Sequence, residues 1–152
     1  MEAGIAGLPL SASLVEDKRA LLAQGYSRIG RTDEALKILN QALERIEQTG
    51  EQIAHAEILR LKGEIILMCN GAALVEAEHC FRAAPEVARQ QEARWWELRT
   101  SVSLARLLRD TNRRDEAHAM LAEIYNWFTE GFDLPDLKEA KALLDELDGT
   151  LK

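Results

Sequence analysis

The sequence is poor in residues that interrupt helices and in residues that do most chemistry. Its 152 residues include three prolines, two cysteines and three histidines. With few β-branched residues as well, little opposes long helices. Cys69 and Cys80 make neither a disulfide framework nor a zinc ligand set. The longest clear apolar run, IILMC from Ile65 to Cys69, is far short of a membrane span. Positive charge is in deficit, with a formal net charge of −7. That argues against general nucleic-acid binding, where basic groups replace phosphate counterions. It also leaves no basic amphipathic face for anionic lipid. The amino terminus MEAGIAGLPLSAS has no basic residue before Lys18, so it does not read as a signal peptide. Residues 1–10 are expected as a flexible lead-in, 11–148 as one domain and 149–152 as a frayed tail. The cytoplasm is the default location.

Catalytic and metal motifs are missing too. There is no G-x-S-x-G, no Walker-type glycine loop and no H-E-x-x-H. His79 and Cys80 are adjacent, so on a helix they point about 100° apart. Neither Cys69 nor His55 supplies the i, i+3 or i, i+4 spacing of helix-borne ligands. Carboxylates are plentiful, but DEALKI, DEAHAM and DELDG place them in first turns and on solvated faces. There they complement the helix dipole. No catalytic residue, metal ligand or cofactor is therefore assigned, and an enzyme is not expected.

What is present is a helical core. Apolar residues are 47% of the chain, much of that Ala and Leu. Ala35 is followed by Leu39, Ala42, Leu43 and Ile46 on one helical face. Leu22, Ala23 and Tyr26 form the stripe of a preceding helix. Gly30 suits the left-handed residue that ends the first helix, and Thr32 suits the N-cap of the second.

The same layout recurs. Ala77 is followed by Phe81 and Ala84, and preceded by Leu59, Gly63 and Ile66. Ala117 is followed by Leu121 and Ile124, and preceded by Leu104, Ala105 and Leu108. The turns correspond as IGRTDEAL, CNGAALVEAE and DTNRRDEAH. Gly30, Asn70-Gly71 and Asn112 supply residues that tolerate positive φ. The anchor alanines are separated by 42 and then 40 residues, a period that implies stacked helix pairs.

The pattern L-(A/G)-x-x-Y…A-x-x-x-(L/F)-x-x-A resembles the tetratricopeptide repeat. Leu22, Ala23, Tyr26, Ala35, Leu39 and Ala42 carry the likeness in the first copy. The second carries it through Gly63, Ala77, Phe81 and Ala84, the third through Leu104, Ala105, Ala117 and Leu121. The standard repeat has about 34 residues, so these copies are longer. A closer likeness lies in GRTDEALKILNQALERIEQTGE, WWELRTSVSLARLLRD and FTEGFDLPDLKEAKALLDEL, within Tyr26 to Leu147. These segments resemble the carboxy-terminal tetratricopeptide region of large bacterial multidomain proteins that carry class III cyclase domains, AAA- or STAND-type ATPase domains, or both. The resemblance implies a fragment or stand-alone relative of such a regulatory region, not a cyclase. It implies an all-α, right-handed α-solenoid of three helical hairpins plus a carboxy-terminal capping helix.

Helices are expected over 11–29, 33–49, 51–69, 74–91, 93–110, 114–129 and 135–147. In the last, Leu137, Ala140, Leu144 and Leu147 make the apolar stripe, while Lys138, Glu139, Lys141, Asp145 and Glu146 face mostly away. Pro85 falls inside a helix, where it removes one bond and crowds the Phe81 carbonyl, at about 3 kcal/mol. A kink or break between Ala83 and Glu86 is expected, as a groove-shaping hinge or as a tolerated substitution.

The resemblance also places a concave groove on the first helices of the hairpins. Its candidate partner-binding residues are Gln24, Arg28, Arg60, Glu64, Arg99, Arg106 and Arg109, with Ser27, Leu67, Met68 and Val102 at neighbouring groove positions. The arginines suit a protein or peptide ligand with acidic groups, since a guanidinium binds carboxylate bidentately. The alternative is that they pair with Asp17, Glu57, Glu64 and Glu97 and bind nothing. Tyr125, Trp127 and Phe128 are expected to cover the base of the last helix, and one of the adjacent Trp95 and Trp96 to point outward more than the other as a contact candidate. A further alternative is homo-oligomerisation through the first helix, whose Leu14 and Leu21 have no preceding repeat to cover them.

Overall fold

A computed structural model describes residues 8–50 and 54–149, with residues 8–17 described by backbone alone. Among the described residues there are seven helices and no strand. They are α1 (Leu8–Arg28), α2 (Thr32–Thr49), α3 (His55–Cys69), α4 (Leu74–Gln90), α5 (Arg94–Asp110), α6 (Arg114–Tyr125) and α7 (Pro135–Leu147). No described helix is long and apolar enough to cross a membrane. The chain divides into two compact units, residues 1–80 and 81–152, with the division inside α4.

In the first unit, α1, α2 and α3 pack on one another. Ala35, Leu39, Ala42 and Ile46 of α2 lie at intervals of three and four, and all are buried. This is the spacing that sets side chains on one helix face. Ala23 of α1 and Ala35 of α2 have no exposed surface, so neither holds the helix backbones apart. Ile58 and Ile65 of α3 complete the core. Burying each such aliphatic contributes about 1.5–3 kcal/mol.

In the second unit, α5, α6 and α7 pack on one another in the same way. Ala105 and Ala117 have no exposed surface. Leu98 and Leu108 of α5, Leu121 of α6 and Leu137 of α7 are also fully buried.

The turn chemistry repeats between the two units. Gly30 sits at φ 86° and Asn112 at φ 66°. The next N–H in each turn reaches back five residues: Arg31 to the Tyr26 carbonyl and Arg113 to the Leu108 carbonyl, each at 2.8 Å. That bond satisfies a carbonyl which the helix end leaves open. Then the anchor alanine takes over. Ala35 donates to Arg31 at 3.1 Å and Ala117 to Arg113 at 3.0 Å, opening α2 and α6.

Several expectations require correction. The helix opening at Thr32 has Arg31, not Thr32, as its N-cap, and no side-chain cap bond. Arg31 instead pairs with Glu34 one turn on. Asn70 is extended at φ −152°, and Gly71 is not among the positive-φ glycines. The Asn70 side chain accepts a bond from the Ala72 N–H at 3.0 Å, a local Asx turn replacing the left-handed residue. α1 begins at Leu8, so the helix reaches into the segment expected as lead-in. The expected start at Glu51, the rest of the lead-in and residues 150–152 lie outside the described residues. α6 ends at Tyr125 rather than Thr129, because Asn126, Trp127 and Phe128 donate to carbonyls of the last turn and close it.

Pro85 does not break its helix. α4 runs continuously from Leu74 to Gln90, and Pro85 is buried inside it. One lost N–H is tolerated when packing holds the flanking turns. Ala84 and Ala88, both without exposed surface, supply that packing.

Candidate functional site

The candidate residues fall into both units. Gln24, Arg28, Arg60 and Glu64 belong to the first, and Arg99, Arg106 and Arg109 to the second.

In the first unit α3 holds Arg60 one turn from Glu57 and one turn from Glu64, spacings at which helical side chains meet. Arg60 donates through Nε and Nη2 to both oxygens of Glu57, at 2.8 and 2.6 Å. Its Nη1 donates to Glu64 at 2.6 Å. The side chain is only 11% exposed. Burial works against the charge, yet the bonds from Glu57 and then Glu64 outweigh it and raise the guanidinium pKa above its ordinary value. Arg28 stands exposed at the end of α1 with no ion pair among the described residues. Gln24 is half-buried, and its backbone carbonyl accepts from the Ser27 hydroxyl at 2.8 Å.

In the second unit, two of the three arginines are held by acids. Arg106 pairs with Glu139 of α7. Arg109 donates to Asp110 at 2.9 Å and to Glu146 of α7 at 3.2 Å. The Asp110 bond is the main reason its pKa lies above the ordinary value, with burial opposing. Among the described residues Arg99 has no carboxylate partner, and it lies over the Trp96 ring at 5.4 Å. Glu139 and Glu146 therefore do not face away from the fold. They reach across to α5.

The expected internal pairing is met by Glu57 and Glu64. Glu97 is 5% exposed and is held at 3.1 Å by Arg94 and at 3.2 Å by Arg89, not by a candidate arginine. The Asp17 side chain lies outside the described residues. Glu97 was the hardest of these to foresee. A Glu in the first turn of a helix ordinarily marks solvent, and Arg89, eight residues earlier on α4, joins Arg94 in making its burial tolerable.

The aromatics separate by role. Trp95 meets Phe128 edge-on at 5.5 Å, while Trp96 turns to Arg99. Both tryptophans are half-buried. Trp127 does not seal the core: it is 54% exposed, with Phe128 edge-on at 5.2 Å and Arg94 over its ring at 5.4 Å.

Cys80 is buried, which pushes its thiol pKa up, whereas Cys69 and His79 are exposed. No group of three metal-ligating side chains occurs among the described residues. The first unit has a cleft of about 730 Å³ lined by Leu43, Glu47, His55, Leu59 and His79, among others. It brings two imidazoles near a carboxylate, but Glu47 makes no hydrogen bond to either among the described residues.

No protein-family model matches the chain, and no curated protein matches it.

Proposed function

We propose that the chain is a non-catalytic protein-interaction scaffold of the tetratricopeptide type. In this reading it is an array of three helical hairpins and a capping helix, related to the regulatory region of a bacterial cyclase or ATPase signalling protein. The observation that carries it is the recurrence of one buried small residue. Ala35, Ala77 and Ala117, spaced 42 and 40 residues apart, each have no exposed surface. The way each unit packs supports it: one hairpin, with a third helix against both of its members, is the contact pattern of a stacked array.

Arg60, Arg106 and Arg109 already have carboxylate partners, which reduces what they offer to an acidic peptide. Arg28 and Arg99 keep their charge uncommitted and are the better contacts. The test is copurification from the native cell, then titration of the purified partner. A saturable complex is expected, weakened about tenfold when Arg28 and Arg99 are both changed to Glu, as for loss of two charge contacts. Unchanged affinity in the double variant removes the arginines from the reading. The absence of any partner that binds in purified form removes the scaffold role.

Self-association is the second reading. Leu21 and Leu22 are 67% and 51% exposed on α1, and natural monomers rarely leave large aliphatics grouped in water.

A further inference from the structure

Two surfaces, one in each unit, are left without a cover among the described residues. On α1, Lys18, the adjacent Leu21 and Leu22, Gly25 and then Ile29 stand three or four residues from one position to the next, a single stripe of helix. Ile29, just past the helix end, is 67% exposed like Leu21. A side chain added at Gly25 would meet nothing within 4 Å. Leu22 also lines a groove of about 340 Å³ with Ile38 and Gln41 of α2, and Lys18 and Arg19 line it too. Lys18 and Arg28 have no carboxylate partner among the described residues.

The second surface lies between α6 and α7. Trp127, Phe132 and Leu134 are 54%, 44% and 44% exposed. Phe132 lies 5.7 Å from the Tyr125 ring, and Trp127 packs on Phe128. Glu130 and Asp133 stand exposed in the same segment, with no cationic partner among the described residues. Arg94 approaches Trp127, but Glu97 already meets its charge.

One surface is aliphatic with uncommitted cations. The other is aromatic with uncommitted anions. Pairing like with like would set Lys18 and Arg28 against their copies, or Glu130 and Asp133 against theirs, and like charges across an interface are costly. Pairing unlike surfaces buries both apolar patches and joins opposite charges. We infer that the 126–134 segment of one copy docks on the α1 groove of a second copy, a heterologous contact between two molecules of this chain. The inference rests on the self-association reading. Because the two surfaces belong to one molecule, each copy keeps a second free surface, and the contact propagates or closes a ring.

Sedimentation of the full chain across 5–300 μM tests it. The weight-average mass is expected to rise past that of a dimer, and to fall as salt is added. Leu22→Asp disables the groove and Trp127→Ser the aromatic segment. Each alone is expected to be monomeric, and an equimolar mixture to form a two-chain complex and nothing larger. A wild-type chain that stays monomeric overturns both the inference and the self-association reading. Single variants that still associate, or a mixture that stays monomeric while the wild type associates, overturn the head-to-tail contact alone. Should either variant unfold by circular dichroism, exposed charges replace it. Lys18→Glu with Arg28→Glu is expected to weaken association about tenfold, and a partner copy with Glu130→Lys and Asp133→Lys to restore it. Failure of that exchange overturns the contact equally.

Discussion

Arg60 and Glu57 are joined by two parallel hydrogen bonds, with Nη2 of the guanidinium 2.6 Å from Oε2 of the carboxylate. Glu64 binds the third nitrogen. The resulting triad lies on one helix and is mostly withdrawn from water, so it links a groove candidate to stability. Arg60→Ala strands Glu57, which is 14% exposed. The expected loss is about 2–3 kcal/mol, below the range for fully buried pairs because Glu64 keeps access to water. Arg60→Lys is expected to recover less than half, since an ammonium cannot span both carboxylate oxygens. Urea denaturation of the two variants checks both values.

Ala117 has no exposed surface. Ala117→Leu is expected to cost about 1–3 kcal/mol by overpacking, and Ala35→Leu a similar amount. Ala119, exposed on the same helix α6, is the control, and Ala119→Leu is expected to be nearly neutral. Thermal melts followed at 222 nm decide it.

Pro85 withholds an N–H from the Phe81 carbonyl inside an unbroken helix. Pro85→Ala restores the bond and loses some buried ring contact. A net stabilisation of about 1 kcal/mol is expected, less than the full cost of an interior proline because Ala84 and Ala88 already hold the helix in place. A lower melting temperature in the variant would show that the ring contributes more to packing than it costs.

Burial lowers the pKa of His55 below the ordinary imidazole value. The unfolded chain therefore takes up a proton at a pH where the folded chain does not. Stability is retained above the ordinary imidazole pKa and falls as the pH drops below it toward the folded value. Urea midpoints are expected to decline between pH 7.5 and pH 5, and His55→Gln to decline less. Equal declines would assign the acid sensitivity to the carboxylates.

The repeat was legible because its anchors are small residues at fixed offsets. Ala35, Leu39 and Ala42 declare one helix face by spacing alone, and the same is true of Ala117 and Leu121. Gly30 and Asn112 declare their turns because few side chains tolerate positive φ. Glu92, at φ 56°, carried no such signal. Its turn is set by the Ala93 N–H reaching the Ala88 carbonyl at 2.9 Å, a closure that outweighs the local preference of Glu. Asn70 looked like a left-handed residue and instead used its side chain to make the turn.

The arginines were less legible. Helical spacing predicted the Arg60 pairs with Glu57 and Glu64, since all three lie within one helix. It could not predict that Glu139 and Glu146 would take Arg106 and Arg109, which lie more than thirty residues away. The seven-residue separation of Glu139 and Glu146 on α7 matches two helical turns, as does that of Arg82 and Arg89 on α4. That periodicity says which residues share a face, not which helix the face meets.

From its order of residues alone, the chain dictated helices, their approximate ends and most of the faces they bury, because those depend on near neighbours and a period of 3.6; Leu22, expected beside Ala23 and Tyr26 on the stripe of α1, is instead 51% exposed. Packing decided which distant charges meet: Glu97 was buried between two arginines, α7 was turned onto α5, and Leu22 and Trp127 were left in water. Each of those outcomes depends on elements distant in sequence meeting in space, and no local pattern encodes the meeting.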